Sequence, residues 1–432
     1  MKPAFTSALV ALTTMSMWPA LVVEQTCAPG VPVAFVGADV LTMIDSALLR
    51  RQTVLVRDGR ITAMGSVQVP PDACRIDATG QVLMPGLSDM HAHMTRSSIP
   101  LFLANGVTLV REMNGSPAHI ELRDQIATGQ VVGPRLVVAS PLLTGIPLRV
   151  RHRLIVSEQD AYEAAHEAKD AGYQFLKIYD DLSPEAYEAL EAAGRTLGLP
   201  LDGHVPASVG LKRVIAAGQA IQHTDKVAFA LAGHNPDSAR LPEARALFAG
   251  KGVWLTPTLA SLRALDGAGT SEYAAAFERP EMAYVDSTTL AWWSTLRRGD
   301  RRPVRLSPYY HFQTALLKTL RDSDTRFLLG TDAPNPLMVL GFSVHDELET
   351  LVRDAGFTRW EALVAATRNP AMFLGDSTGG IIRVGARADL ILLRGNPLKD
   401  LATLRAPVGV MAAGWWLDRV RLDEMLAEAK AR

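Results

Sequence analysis

The chain reads as an α/β protein: a (β/α)8 TIM barrel carrying a small β-sandwich domain built from both chain ends. Three observations predict this. Residues 83–375 alternate apolar strand candidates with Ala-, Glu- and Leu-rich helical stretches, the pattern of βα units in a parallel sheet. Residues 30–82 instead give short apolar runs punctuated by turns, and that texture returns over 376–420. At 432 residues the chain exceeds the usual domain size, whereas such a barrel absorbs about 250 residues or more as one unit, so two unequal parts are expected.

The elements follow in order. Met1-Lys2 and the mostly apolar stretch from Ala4 to Val23 read as a secretory signal peptide over residues 1–25. An exported protein, periplasmic or secreted, is therefore expected, with no stable membrane partner after cleavage. Pro19-Ala20 offers an end, but no small-x-small triplet precedes Glu24-Gln25, and an uncleaved anchor is the alternative. Cys27 and Cys74 are the only cysteines; export permits them to pair, and two buried thiols are the other reading. Val31–Gly37 and Thr53–Arg60 are strands of the small domain, joined later by Ala388–Pro397 and Val408–Gly414.

Eight barrel strands are expected near 83–93, 107–114, 135–140, 175–180, 200–205, 220–227, 254–259 and 326–334. Between the fourth and fifth, Ser183 caps a helix, Pro184 suits its first position, Glu185 meets the positive end of its dipole, and Gly198-Leu199-Pro200 ends it. The stretch 260–325 is too long for an ordinary connection and is expected as a lid-like insertion, its Trp292, Trp293, Tyr309 and Tyr310 serving as a substrate wall or as helix packing.

Forty-four basic and 45 acidic side chains nearly cancel, without a long like-charge run. That balance gives nucleic acid no electrostatic footprint and favours a small-molecule substrate. A homo-oligomer stays open.

Chemistry-bearing residues fall at the C-terminal ends of the expected strands, the face on which barrel enzymes build their sites. His91 and His93 sit two residues apart on the first, so an extended backbone turns both imidazoles to one side. Lys177 follows on the fourth, His204 on the fifth, His223 on the sixth and Asp332 on the eighth. Four of the ten histidines at such ends predict a metal. Tyr179, two residues beyond Lys177, is an oxyanion donor or an aromatic plug; Arg111 on the second strand meets a substrate carboxylate or orients a ligand from behind. His345 reads as a helix-cap or packing residue, and His119, His152, His166, His234 and His311 as surface or structural.

The segments Pro85–His93, Phe175–Tyr179, Gly203-His204, Gln222-His223 and Leu329–Ala333, with Asn369-Pro370-Ala371 and Gly385–Leu390 after the barrel, resemble the amidohydrolase superfamily from about residue 30 to 415. Within it the chain most resembles imidazolonepropionase-like and Xaa-Pro dipeptidase-type enzymes. The resemblance implies two divalent ions, usually zinc: His91, His93 and Asp332 on one, His204 and His223 on the other, and Lys177 between them. An ammonium has no lone pair, so Lys177 would bridge as a CO2-derived carbamate. Two ions about 3.5–4 Å apart would turn a bridging water into a hydroxide, and Asp332 would shuttle its proton as the catalytic residue.

The implied activity is hydrolysis of an amide or peptide-type bond, in a dipeptide or N-acyl amino acid. Esters, lactones and carbamates pass through similar tetrahedral species and suit the same centre. Deaminases of the superfamily usually use one metal and a glutamate three residues after the fifth-strand histidine, where this chain has Ala207. A non-catalytic metal-binding barrel needs neither a bridging lysine nor a proton shuttle.

Overall fold

A computed structural model describes residues 27, 28, 30–296 and 306–430. The expected signal peptide over 1–25 lies outside the described residues. No described helix is long and apolar enough to cross a membrane.

The first five strands belong to the small domain: β1 (Val33–Leu41), β2 (Leu48–Arg57), β3 (Arg60–Gly65), β4 (Cys74–Asp77) and β5 (Val82–Pro85). Hydrophobic runs such as Val54-Leu55-Val56 turn inward beside β1. A disulfide joins Cys27 to Cys74, with Cα atoms 5.7 Å apart, and resolves the open choice for these two residues.

The next strands form the α/β domain. They are β6 (Leu87–Ala92), β7 (Val107–Glu112), β8 (Arg135–Val138), β9 (Leu142–Thr144), β10 (His152–Leu154), β11 (Leu176–Ile178), β12 (Leu201–Gly203), β13 (Ala220–Gln222), β14 (Trp254–Thr256) and β15 (Arg326–Phe327). All pair in parallel, in the orders β6-β7-β8 and β10-β9-β11-β12-β13-β14-β15. Parallel bridges join Ala139, just after β8, to Phe175, just before β11, and Ala92 of β6 to Ala333 after β15, so the β6-β7-β8 sheet meets the other along both of its edges. The domain is TIM-barrel-like, a mixed α/β fold around parallel strands.

One sequence expectation needs correction. The run 83–93 is not a single strand, because Pro85-Gly86 divides it. Val82–Pro85 pairs with β1 and with β16 (Leu390–Leu393) of the small domain, whereas Leu87–Ala92 pairs with β7. Gly86 allows the crossing: a Cβ there would lie 2.2 Å from Thr108 Oγ1. The chain thus enters the α/β domain by stepping between sheets five residues before His91.

β17 (Gly409–Ala412) and β18 (Trp415–Asp418) complete an eight-stranded sheet, ordered β18-β17-β16-β5-β1-β2-β3 with β4 beside β1. Its far strands share one core, where the Phe35 and Trp416 rings meet edge-on at 5.1 Å. Past the expected end at 420, Arg419–Lys430 forms a helix that buries Leu422 and Met425.

Local grammar explains the outer layer. In Pro184–Leu197, Ser183 Oγ accepts the Ala186 N–H at 3.1 Å and Gly198 ends the helix at φ +68°. The 260–325 insertion is not a single unit. Pro308–Arg321 buries Leu316, Leu317 and Leu320 and packs on the helices Thr224–Ala232 and Leu241–Phe248, so it belongs to the outer helical layer. Tyr310 is buried there, its hydroxyl on Asp354 at 2.8 Å, which makes it packing rather than a substrate wall. The part before residue 297 forms short helices over a separate apolar cluster of Tyr273, Met282, Trp293 and Leu337–Val339.

Candidate metal centre

The strand ends gather the six predicted metal residues at one face. Asp332 follows β15, its backbone N–H donating to the His91 carbonyl at 2.7 Å. Its Oδ1 lies 3.2 Å from His91 Nε2 and 3.3 Å from His93 Nε2. Ligand atoms of these three residues all lie within 4.8 Å of one another. On the other side the His204 and His223 rings stand 4.9 Å apart, and His223 is 4.6 Å from His91. Lys177 is buried among them.

Each imidazole is fixed through Nδ1, which leaves Nε2 for an ion. Gln222 Nε2 donates to Asp202 Oδ1 at 2.6 Å, so its Oε1 faces His91 Nδ1 at 2.7 Å and accepts that proton. His93 Nδ1 meets Glu112 Oε1 at 3.4 Å, His204 Nδ1 meets Asp180 Oδ2 at 3.1 Å, and His223 Nδ1 meets Thr258 Oγ1 at 2.8 Å. Partners of this kind on the far ring nitrogen are the usual support for metal-ligating histidines. Glu112, Gln222, Asp180 and Thr258 escaped the sequence reading. Glu112 and Gln222 end strands beside residues that were noticed, Arg111 and His223, and that adjacency was the available signal.

The backbone is strained where it delivers these groups. His223, Thr258 and Asp332 take φ values of +68°, +49° and +57°, a region that costs non-glycine residues energy and persists where surrounding contacts enforce it. Glu347 accepts the Leu259 and Ala260 N–H groups at 3.0 and 2.6 Å, pinning the turn that contains Thr258.

Electrostatics suit a cation. Burial holds His91 down to about 3 and His204 to about 4, and drives His223 well below its ordinary value, so all three are neutral lone-pair donors at pH 7. His93 differs: against the pull of burial, its hydrogen bonds to the Asp332 and Glu112 carboxylates raise it to about 9. A divalent ion at Nε2 would balance the same two carboxylates in place of that proton. Asp180 is held near 2, against burial, by His204 and Lys226.

Lys177 fits the bridging role. Its side chain is 1% exposed, its Nζ has no hydrogen-bond partner among the described residues, and burial lowers it to about 8. An orphaned amine of this kind is unusual in a folded interior, and a lowered pKa supplies the neutral form that reacts with carbon dioxide. Four anchored imidazoles, a carboxylate and this amine form a donor set that fits two divalent ions.

The two expected substrate contacts separate. The Tyr179 ring lies 4.3 Å from that of His204, tilted by 37°, and so borders the site. Arg111 does not face it: the side chain is fully buried, Nε donates to the Met90 carbonyl at 2.7 Å and the guanidinium pairs with Asp202. It reaches His91 through Asp202 and Gln222 and through the backbone at Met90, so its substrate-carboxylate reading is corrected to a positioning one. His345 is buried in the Ser343–Arg353 helix, a packing position, and His119 caps a turn by bonding the Met94 carbonyl at 3.0 Å.

The amidohydrolase family model matches residues 82–417, most of the chain. The chain belongs to the amidohydrolase family. Bottromycin amidohydrolase superposes with a TM-score of 0.76 at 23% identity, over 93% of this chain and 90% of that one. A candidate prolidase from Bifidobacterium longum gives 0.70 at 26% identity, over 93% and 100%. A 97-residue segment is 35% identical to part of the 5′-deoxyadenosine deaminase of Methanothermobacter thermautotrophicus; it covers 21% of this chain and 22% of that relative's length. Family membership and the hydrolases among these neighbours put this amidohydrolase with enzymes that act on C–N bonds.

Proposed function

We propose that the protein is an exported, binuclear metal-dependent hydrolase that cleaves an amide or peptide-type bond in a small substrate. His91, His93 and Asp332 would hold one ion, His204 and His223 the other, and a carbamate on Lys177 would join them. The single observation that carries this reading is the buried Lys177 Nζ, without a hydrogen-bond partner among the described residues, beside imidazoles each anchored at Nδ1.

When bound, two divalent ions of the zinc type supply Lewis acidity and lower the pKa of a water. The chain's own groups do the rest. Asp332 Oδ2 accepts from Asn335 Nδ2 at 2.6 Å, which aims the carboxylate; against the pull of burial the neighbouring imidazoles hold Asp332 well below its ordinary range, so it is ionised and would have a lone pair to accept a proton. It would pass that proton to the leaving nitrogen. Tyr179, whose ring lies 4.3 Å from that of His204, would donate to a developing oxyanion.

The finer fold reading is a closed eight-stranded barrel, supported by the Ala92–Ala333 and Ala139–Phe175 bridges, with the eight-stranded sheet folded into a two-layer sandwich about Phe35 and Trp416. Export is supported by the Cys27–Cys74 disulfide, since such bonds persist in oxidising compartments. An ester, lactone or carbamate substrate fits the same donors. A deaminase is disfavoured by Ala207, where a carboxylate would be needed to handle the proton.

The test is Lys177→Ala in metal-reconstituted protein. Activity on a panel of dipeptides, N-acyl amino acids, esters and lactones should fall by on the order of a hundredfold or more and recover in part with short-chain carboxylic acids. Full activity in the variant would remove Lys177 from the bridge.

A further inference from the structure

Two of the groups proposed for the second ion are followed, three residues on, by charged side chains that meet each other. Asp180 comes three residues after Lys177, in the loop beyond β11, and Lys226 three residues after His223, in the first turn of the Thr224–Ala232 helix. Lys226 Nζ donates to Asp180 Oδ2 at 3.1 Å, and the same oxygen faces His204 Nδ1 at 3.1 Å. One carboxylate oxygen thus joins the segments that carry Lys177, His204 and His223.

Both ends of this contact are held by the backbone around them. The Asp180 carbonyl accepts the Thr144 hydroxyl at 3.1 Å and the Tyr179 N–H donates to the Leu143 carbonyl at 2.9 Å, so the loop is pinned to β9. On the other side the Tyr309 hydroxyl donates to the Asp225 carbonyl at 3.2 Å, which steadies the turn leading to Lys226. The Lys226 and Asp180 side chains are 26% and 32% exposed, and a pair at such a rim contributes little to global stability. Its effect is local. The ammonium offsets the charge of the carboxylate and keeps it from turning into water, so the oxygen stays on the His204 ring. The residues of the first ion are supported by other groups, Gln222, Glu112 and Asn335.

We infer that Lys226 is a positioning residue: through Asp180 it fixes the His204 ring and so sets the affinity of the second metal half-site. The inference rests on the proposed two-ion reading. It gives Lys226 a different task from that of an anchor for a substrate carboxylate, since its ammonium is committed to Asp180.

The test is a zinc titration of the metal-stripped protein, with bound zinc counted and the affinity of each step read by chelator competition. Lys226→Met should weaken the second step about 10- to 100-fold and leave the first as it is. Lys226→Arg, which keeps a charge-assisted donor, should restore most of that loss. Lys226→Met added to Asp180→Asn should cost nothing beyond Asp180→Asn alone, because both break one path. Thermal melts of the stripped variants should match the native midpoint, and a large drop would make the contact structural and overturn the inference. A second step unchanged in Lys226→Met, equal losses at both steps, or additive losses in the double variant overturns it as well. So does intact zinc binding with a raised KM for carboxylate-bearing substrates alone, which would make Lys226 a substrate anchor. A native chain that stops at one zinc sinks the two-ion reading and the inference together, whereas two zinc ions with no effect of Lys226→Met sink the inference alone.

Discussion

Gln222 has one amide oxygen on His91 and one amide nitrogen on Asp202, so it fixes both the tautomer and the tilt of that ring. Replacing it by Leu removes the acceptor and leaves Asp202 and Arg111 to each other. Metal affinity should drop about 10- to 100-fold while the fold persists, as read by chelator competition and circular dichroism. An unchanged affinity would reduce Gln222 to packing. His93 gives a pH test. Its ring, raised to about 9, is protonated below that pH, and a protonated imidazole cannot bind an ion. Apparent affinity for the ion on His93 should therefore climb about tenfold per pH unit toward pH 9 and level above it. Sequence made the candidate ligands legible because histidines at i and i+2 and a lone lysine among strand ends are rare patterns. Their supports were not, since a Gln, a Glu or a Thr at a strand end carries chemistry only once its neighbour is known.

At the scale of elements, the seam between the two domains is an ionic clamp. Asp376 Oδ2 takes Arg135 of β8 at 2.7 Å and Arg387, just before β16, at 2.8 Å, while Oδ1 takes the Thr378 N–H at 2.9 Å. Against the cost of burial, Arg387 and Thr378 hold Asp376 below the ordinary carboxylate range. A depressed pKa stabilises above the unfolded value and loses that contribution as pH falls through the folded one. Asp376→Asn should cost about 1–3 kcal/mol at pH 7, and the gap to the native chain should narrow below about pH 4, measured by denaturant melts across pH. A gap independent of pH would exclude the clamp as its cause. Element boundaries were the least legible feature. The run 83–93 reads as one strand by hydrophobicity alone, and only packing against Thr108 reveals that Gly86 splits it between sheets. Likewise, the 308–321 helix carries an apolar face that fits a lid or an outer barrel layer equally well until its neighbours are known.

For the whole molecule, alternation of strand and helix made the α/β domain readable, and matching textures made the small domain readable from both ends. The disulfide spans a 47-residue separation, so reduction should release up to about 4 kcal/mol of loop-closure stabilisation, seen as a lower melting midpoint in reductant. No shift would mean that the N-terminal strands are held by packing alone. The central claim is that two ions and Lys177 act as one centre on this fold. It is tested most directly by stepwise metal reconstitution of stripped protein, with bound metal and hydrolysis of the substrate panel measured at each step. Activity should be absent without metal and reach its plateau at two ions per chain, with Lys177→Ala retaining fewer; a plateau at one ion, or hydrolysis by the metal-free chain, would contradict it.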